Sequence, residues 1–209
     1  MTGIAISGGE GPKSQALKNL AKPADLIIAA DSGLAACEEA GITPDWIVGD
    51  MDSLDDLKRL EKYPPERVVR HRSDKDFSDT ELALSLLWEK GCGEVWLAGG
   101  GGGRTDHLLA VRSLFERQKA PDRWFTAGEE IFRLKEGQTR CVEAAIGGIV
   151  SVFPLGTGPW QAESKGLKWP LNNVAWESGG FSLSNVAQET SFEIKSKRGD
   201  FLVIVMVEG

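Results

Sequence analysis

The sequence predicts an α/β N-terminal domain with a mainly parallel sheet, followed by a small all-β sandwich. Three observations carry this. Short apolar runs alternate with helix-length segments through the first half, which is the pattern of βαβ units. After about residue 122 the texture changes to strand-like runs separated by glycines and polar turns. Eleven of the thirteen aspartates lie at or before Asp106, so ion chemistry belongs to the first half.

The elements follow in order. Ile4-Ala5-Ile6 reads as a buried strand closed by Gly8-Gly9, and a helix follows over about Ser14 to Ala21. Leu26 to Ala30 is a second strand ending at Asp31-Ser32-Gly33. Ser32 is placed to cap a helix over Leu34 to Ala40, which stops at Gly41 with Pro44 beyond. Trp46 to Val48 is a third strand, followed by a helix from about Leu54 to Lys62 and a break at Pro64-Pro65. Arg67 to Arg70 is a fourth strand. Ser78-Asp79-Thr80-Glu81 fits a capping box that opens a helix through Lys90, ended by Gly91. Val95 to Ala98 is a fifth strand, running into five glycines and a helix from about Thr105 to Gln118. Residues 124–126, 130–134, 139–142, 149–153, 192–195 and 201–207 are the strand-like runs of the second half. The boundary falls at 1–122 and 123–209.

Bulk properties exclude some functions. A chain of 209 residues can bury a core and form one large domain or two small ones. A net charge of −7 argues against nucleic-acid binding through an overall positive field. Cys37, Cys92 and Cys141 are widely spaced without a CxxC pair, so they read as buried thiols in a reducing compartment. No basic leader and no apolar run of membrane-spanning length is visible, and a soluble cytoplasmic protein is expected.

Val48-Gly49-Asp50-Met51-Asp52-Ser53 is the chemical centre of the sequence. Asp50 and Asp52, spaced i, i+2 after a strand, point the same way while the chain stays extended and can also converge on one ion across a turn. Ionised carboxylates this close repel, which suggests a bound cation. Asp74-Lys75-Asp76-Phe77-Ser78-Asp79 adds more negative charge than a helix start needs, and Lys75 either offsets it or reaches a phosphate. Gly99 to Gly103 let the backbone approach a ligand, and Arg104 after them can grip an anion bidentately. Asp31, Asp50 and the glycine run all follow strands, where open α/β sheets bind ligands. Carboxylates for a hard cation, backbone amides and an arginine are the parts of a phosphate-transfer site. In the second half, Trp169 sits among basic and small polar residues, where its ring could stack on a flat ligand or pack in a core.

The set of motifs closely resembles the thiamine pyrophosphokinase family. Asp31-Ser32-Gly33, Gly49-Asp50-Met51-Asp52-Ser53, the segment Asp74 to Asp79, and Gly102-Gly103-Arg104-Thr105-Asp106 look like its N-terminal motifs in order. Ser164-Lys165-Gly166-Leu167-Lys168-Trp169 and Ser182-Leu183-Ser184-Asn185 look like its thiamine-site motifs. The resemblance implies a nucleotide- and Mg²⁺-binding catalytic domain and a β-sandwich for thiamine binding and dimerisation, working as a homodimer with the active site between subunits. It implies transfer of the pyrophosphoryl group of ATP to thiamine, giving thiamine diphosphate and AMP. By the same resemblance Asp50, Asp52 and Asp79 hold the metal, with Asp31 beside them among the catalytic residues. Lys75, Asp76, Gly102, Gly103, Arg104 and Asp106 serve ATP; Trp169, Ser164, Ser184 and Asn185 serve thiamine. Phe77 and Pro170 depart from the commonest form of these motifs. A pyrophosphokinase acting on another heterocyclic alcohol, such as a hydroxymethyl pterin, and a nucleotide-sensing module without turnover are the competing readings.

Overall fold

The computed structural model describes residues 1–52, 57–72 and 77–207. The chain divides into two compact units: Met1–Val111 with Pro121–Ala127, and Arg112–Ala120 with Gly128–Glu208.

In the first unit, six strands pair in parallel in the order β6-β5-β1-β2-β3-β4. They are β1 (Thr2–Ser7), β2 (Leu26–Ala30), β3 (Trp46–Gly49), β4 (Val68–Arg70), β5 (Glu94–Ala98) and β6 (Arg123–Phe125). Both β2 and β5 flank β1, so the winding direction reverses beside it. This is the switch point at which open α/β sheets bind ligands. Helices α1 (Ser14–Ala21) and α2 (Gly33–Glu39) bury Leu17, Ala21, Leu34 and Cys37 against Ile4, Ile6, Ala29, Ile47 and Ala98. Alternation along β1 sends Gly3 and Ala5 to the other face, where Leu87 of α3 (Asp79–Glu89) packs close to Gly3. Ser78 and Glu81 form the expected capping box. Helix α4 covers Thr105–Leu114.

Three expectations shift. Ser32 precedes α2 but makes no side-chain cap hydrogen bond. Leu57–Lys62 is a 3-10 helix rather than part of an α-helix, and the residues from 53 to 56 lie outside the described ones. Residues 123–125 read as part of the second half, yet they pair with β5. Gly99 N donates to Phe125 O at 3.0 Å, and Trp124 Nε1 donates to Gly99 O at 2.7 Å. A short apolar run carries no local mark of the sheet it joins.

In the second unit, β11 (Ser182–Val186), β9 (Ile149–Leu155), β13 (Asp200–Met206) and β7 (Glu129–Leu134) form one antiparallel sheet. A second comprises β10 (Gln161–Lys165), β12 (Ser191–Arg198) and β8 (Thr139–Glu143). Phe132, Val150, Val152, Phe192, Ile194, Phe201 and Val203 fill the sandwich between them. Strands β10 and β11 are too polar to show an apolar period in sequence; Ala162 is the one buried residue of β10. Among the described residues, no helix is long and apolar enough to cross a membrane.

Candidate active site

Asp31 follows the last residue of β2, Asp50 follows the last residue of β3, and α3 begins at Asp79; these three points bring Asp31, Asp50 and Asp79 to one place. Each offers a carboxylate oxygen, and these oxygens lie within 4.8 Å of one another. Asp31 is buried, and its Oδ1 has no hydrogen-bond partner. A buried carboxylate with one unpartnered oxygen, grouped with two further carboxylates, is costly without a counter-charge. The donor set is all oxygen, as Mg²⁺ prefers.

The backbone here is held in unusual conformations. Asp31 has φ 46 and Met51 has φ 66, two of the three described non-glycine residues with positive φ. Such positions cost energy and persist where surrounding structure demands them. Asp31 N donates to Val48 O and Asp31 O accepts from Leu34 N, which fixes the turn between β2 and α2. Met51 is 3% exposed and packs in the cluster with Leu34, Cys37, Ala40 and Leu60. Its side chain is thus a plug between Asp50 and Asp52. Gly49 lies against the cluster: a Cβ there would stand 3.1 Å from Asp31 Cβ and 3.2 Å from Asp79 Oδ1.

The group of three close carboxylates comprises Asp31, Asp50 and Asp79, and the Asp52 side chain is exposed. The left-handed Met51 puts a turn, rather than extended chain, between Asp50 and Asp52. Asp52 N instead donates to Asp50 Oδ1 at 3.2 Å and holds that carboxylate in a turn. Asp74, Lys75 and Asp76 lie outside the described residues.

The glycine run proves to be two things. Gly100 N donates to Gly8 O, and Glu10 and Gly101 exchange two backbone hydrogen bonds, so its first part is stitched to the loop after β1. Gly99 is required there, because a Cβ would fall 2.2 Å from Ser7 O and φ is 93. Gly103 and Arg104 are exposed. Arg104 grips Asp106 through Nε at 3.1 Å and Nη2 at 2.6 Å. The hydrogen bond to Arg104 holds the Asp106 carboxyl below its usual range, and the same bond raises the guanidinium.

A cavity of about 280 Å³ opens at the switch point, lined by Ser7, Gly9, Lys13 and Ser14 on one side and Ala98 and Gly99 on the other. Ser7 and Thr80 hydroxyls meet at 2.8 Å, joining the end of β1 to the helix that carries Asp79. Sequence reading missed Ser7, Thr80 and the plug role of Met51. Thr80 and Met51 sit inside motifs read for their neighbours, and Ser7 belongs to no local pattern.

In the second unit, Trp169 is 52% exposed, with Lys168 Nζ 4.6 Å from its ring centroid. Ser164 Oγ accepts from Leu171 N at 3.2 Å, and the Asn185 carboxamide is fully engaged with Trp169, Val186 and Ser182. Ser184 is exposed with φ 55.

Two family models match the sequence: "Thiamin pyrophosphokinase, catalytic domain" over residues 17–123, and "Thiamin pyrophosphokinase, vitamin B1 binding domain" over residues 138–199. The chain belongs to the thiamin pyrophosphokinase family. Asp31, Asp50 and Asp79 fall within the first match, and Ser164, Trp169, Ser184 and Asn185 within the second. The chain is 29% identical to the thiamine pyrophosphokinase of Bacillus subtilis over 153 residues, 71% of each chain. It is 26% identical to thiamine pyrophosphokinase 1 of Oryza sativa over 165 residues, 73% of this chain but 62% of that longer relative. The fold superimposes on the crystal structure of the Bacillus subtilis enzyme with a TM-score of 0.80, at 23% identity and over 100% of both chains.

Proposed function

We propose that this protein transfers the β,γ-pyrophosphoryl group of ATP to the hydroxyethyl oxygen of thiamine, releasing AMP. The observation that carries the reading is the convergence of Asp31, Asp50 and Asp79 at the carboxyl ends of parallel strands, inside the stretch that matches the family's catalytic domain. The orphaned Asp31 oxygen and the all-oxygen donor set fit Mg²⁺. Asp31, Asp50 and Asp79 would hold the ion, which supplies charge neutralisation on the phosphate oxygens.

The residues of the chain have distinct tasks. One aspartate accepts the proton of the thiamine hydroxyl as its oxygen bonds to the β-phosphorus. The bond from the β-phosphorus to the α-bridging oxygen then breaks, and AMP leaves with that oxygen. Positioning is most of the catalysis in such displacements, so a rigid, strained backbone suits Asp31 and Met51. The switch-point cavity and Gly102, Gly103, Arg104 and Asp106 serve the nucleotide. Asp106 orients the Arg104 fork, leaving Nη1 for a phosphate oxygen. Trp169 stacks on the aminopyrimidine, with Ser184 beside it.

The protein works as a homodimer in the cytoplasm. Ile149, Phe181, Leu183 and Met206 are exposed apolar side chains on or beside neighbouring strands of the second unit, and Phe181 stacks on Phe153. Such a patch suits an isologous contact. Cys37 and Cys92 are buried as expected while Cys141, on an exposed strand position, is not; the three free thiols suit a reducing compartment. The site is completed across subunits, so pairing a Trp169→Ala chain with an Asp50→Asn chain should leave one intact site and about half the wild-type activity.

The deciding experiment is purified protein with ATP, Mg²⁺ and thiamine, followed by chromatography. AMP and thiamine diphosphate in equal amounts are expected; ADP as product would overturn pyrophosphoryl transfer.

A further inference from the structure

We propose that Asn185 is a positioning residue that sets the affinity for the heterocyclic substrate by clamping Trp169, without touching that substrate. The proposal rests on the reading of Trp169 as the stacking ring. Asn185 is 1% exposed. Its Oδ1 accepts from Trp169 N at 3.1 Å and from Val186 N at 2.9 Å. Its Nδ2 donates to Trp169 O at 2.7 Å and to Ser182 Oγ at 3.3 Å. A carboxamide has two donor hydrogens and two acceptor lone pairs on its oxygen, and all four are used.

One side chain therefore satisfies both main-chain groups of Trp169, as a neighbouring strand would. The reason lies in the preceding residues. Lys168 N donates to Val186 O, and Leu167 bridges Ala187, so the segment runs beside β11 up to position 168. The register of β11 against β9 then shifts between Ser182 and Asn185. Pro170 has no N–H to continue a ladder. The Asn185 amide replaces the missing rung. On the far side of the loop, Leu171 N is held by Ser164 Oγ. The Trp169 main chain is pinned from both sides while its indole stays 52% exposed. An aromatic face held in place before binding loses little entropy on stacking. Substrate could reach Asn185 only by displacing one of these bonds. Ser184 is the contrast: its N–H is tied to Ser151 Oγ at 3.1 Å, and its side chain is exposed.

The test couples Asn185 to Trp169. In the full-length protein without substrate, Asn185→Ala should speed hydrogen exchange at the Trp169 amide by about tenfold or more, since the bond that protects it is gone. In turnover assays it should raise KM for thiamine about tenfold, leaving kcat and KM for ATP within about twofold. In a Trp169→Ala background the same substitution should change KM for thiamine by less than about twofold, because there is no ring left to position. Asn185→Asp keeps the shape and both accepted bonds but loses the donations to Trp169 O and Ser182 Oγ. It should raise KM in the same direction by a smaller factor, and it carries the test if Asn185→Ala does not fold. Equal increases in both backgrounds would show direct contact with substrate and overturn the proposal. So would unchanged exchange at the Trp169 amide. Should thiamine not be turned over at all, the function reading fails, while the exchange measurement still decides whether the clamp exists.

Discussion

The aspartate cluster and the Trp169 segment are both presented by strand ends, yet they are built in opposite ways. In the cluster three carboxylates converge, and Asp31 Oδ1 is buried without a partner. Two neighbouring residues sit in the left-handed region, and a Cβ at Gly49 would crowd two of the aspartates. The Trp169 segment is internally complete, with its main-chain and carboxamide groups paired and only the ring exposed. The first arrangement stores repulsion that a cation would relieve; the second stores order that a flat ligand would use. One region should thus gain stability on losing a functional residue, and the other should not.

Asp50→Asn is expected to have the largest effect. Loss of one charge-stabilising group lowers kcat by about a hundredfold to a thousandfold. Because it also relieves like-charge repulsion, Tm without divalent ions should hold or rise. Calorimetry in chelator reads this, and a large fall in Tm would place Asp50 among the structural residues.

Met51→Ala separates the plug from the charges. Emptying this buried site should destabilise by about 2–4 kcal/mol, as for other large-to-small core changes. It should also lower kcat, since Asp50 loses its anchor. Denaturant midpoints and kinetics measured together check this. A destabilised protein with full kcat would show that Asp50 is held without Met51.

Trp169→Ala should raise KM for thiamine roughly tenfold, the stacking contact plus its buried area, with KM for ATP nearly unchanged. Unlike Asp50→Asn, it should bring no gain in Tm. Equal changes in both KM values would mean that the ring does not discriminate between substrates.

The smallest effect concerns Cys37, which shares a core with Met51. Burial pushes its thiol from 9.0 to about 12. Between those values the unfolded chain gives up a proton that the folded chain keeps, so stability is full below pH 9.0 and falls above it. The slope approaches about 1.4 kcal/mol per pH unit. Cys37→Ala should flatten this alkaline decline and leave neutral-pH activity unchanged; pH-dependent denaturation measures it.

Local patterns were legible because their physics is local. The Ser78 to Glu81 capping box and α1 over Ser14–Ala21 follow from contacts within four residues. The short apolar runs marked β1, β2, β3 and β5 because parallel strands are buried on both faces. Strands β10 and β11 were hidden by polar edges that offer no alternation.

The sequence by itself determined the order of strands in the first unit, the change of texture near residue 122 and the family motifs, all of which are composition and spacing. Only the tertiary structure decided which carboxylates meet. Asp31 and Asp79 are far apart in the chain and converge because β2, β3 and α3 end at one edge of the sheet. The left-handed backbone at the buried Met51, between Asp50 and Asp52, is also something that spacing cannot reveal. Likewise Asn185 reads as a ligand residue in sequence and becomes a clamp in three dimensions. Its hydrogen-bonding capacity is used by a main chain sixteen residues away.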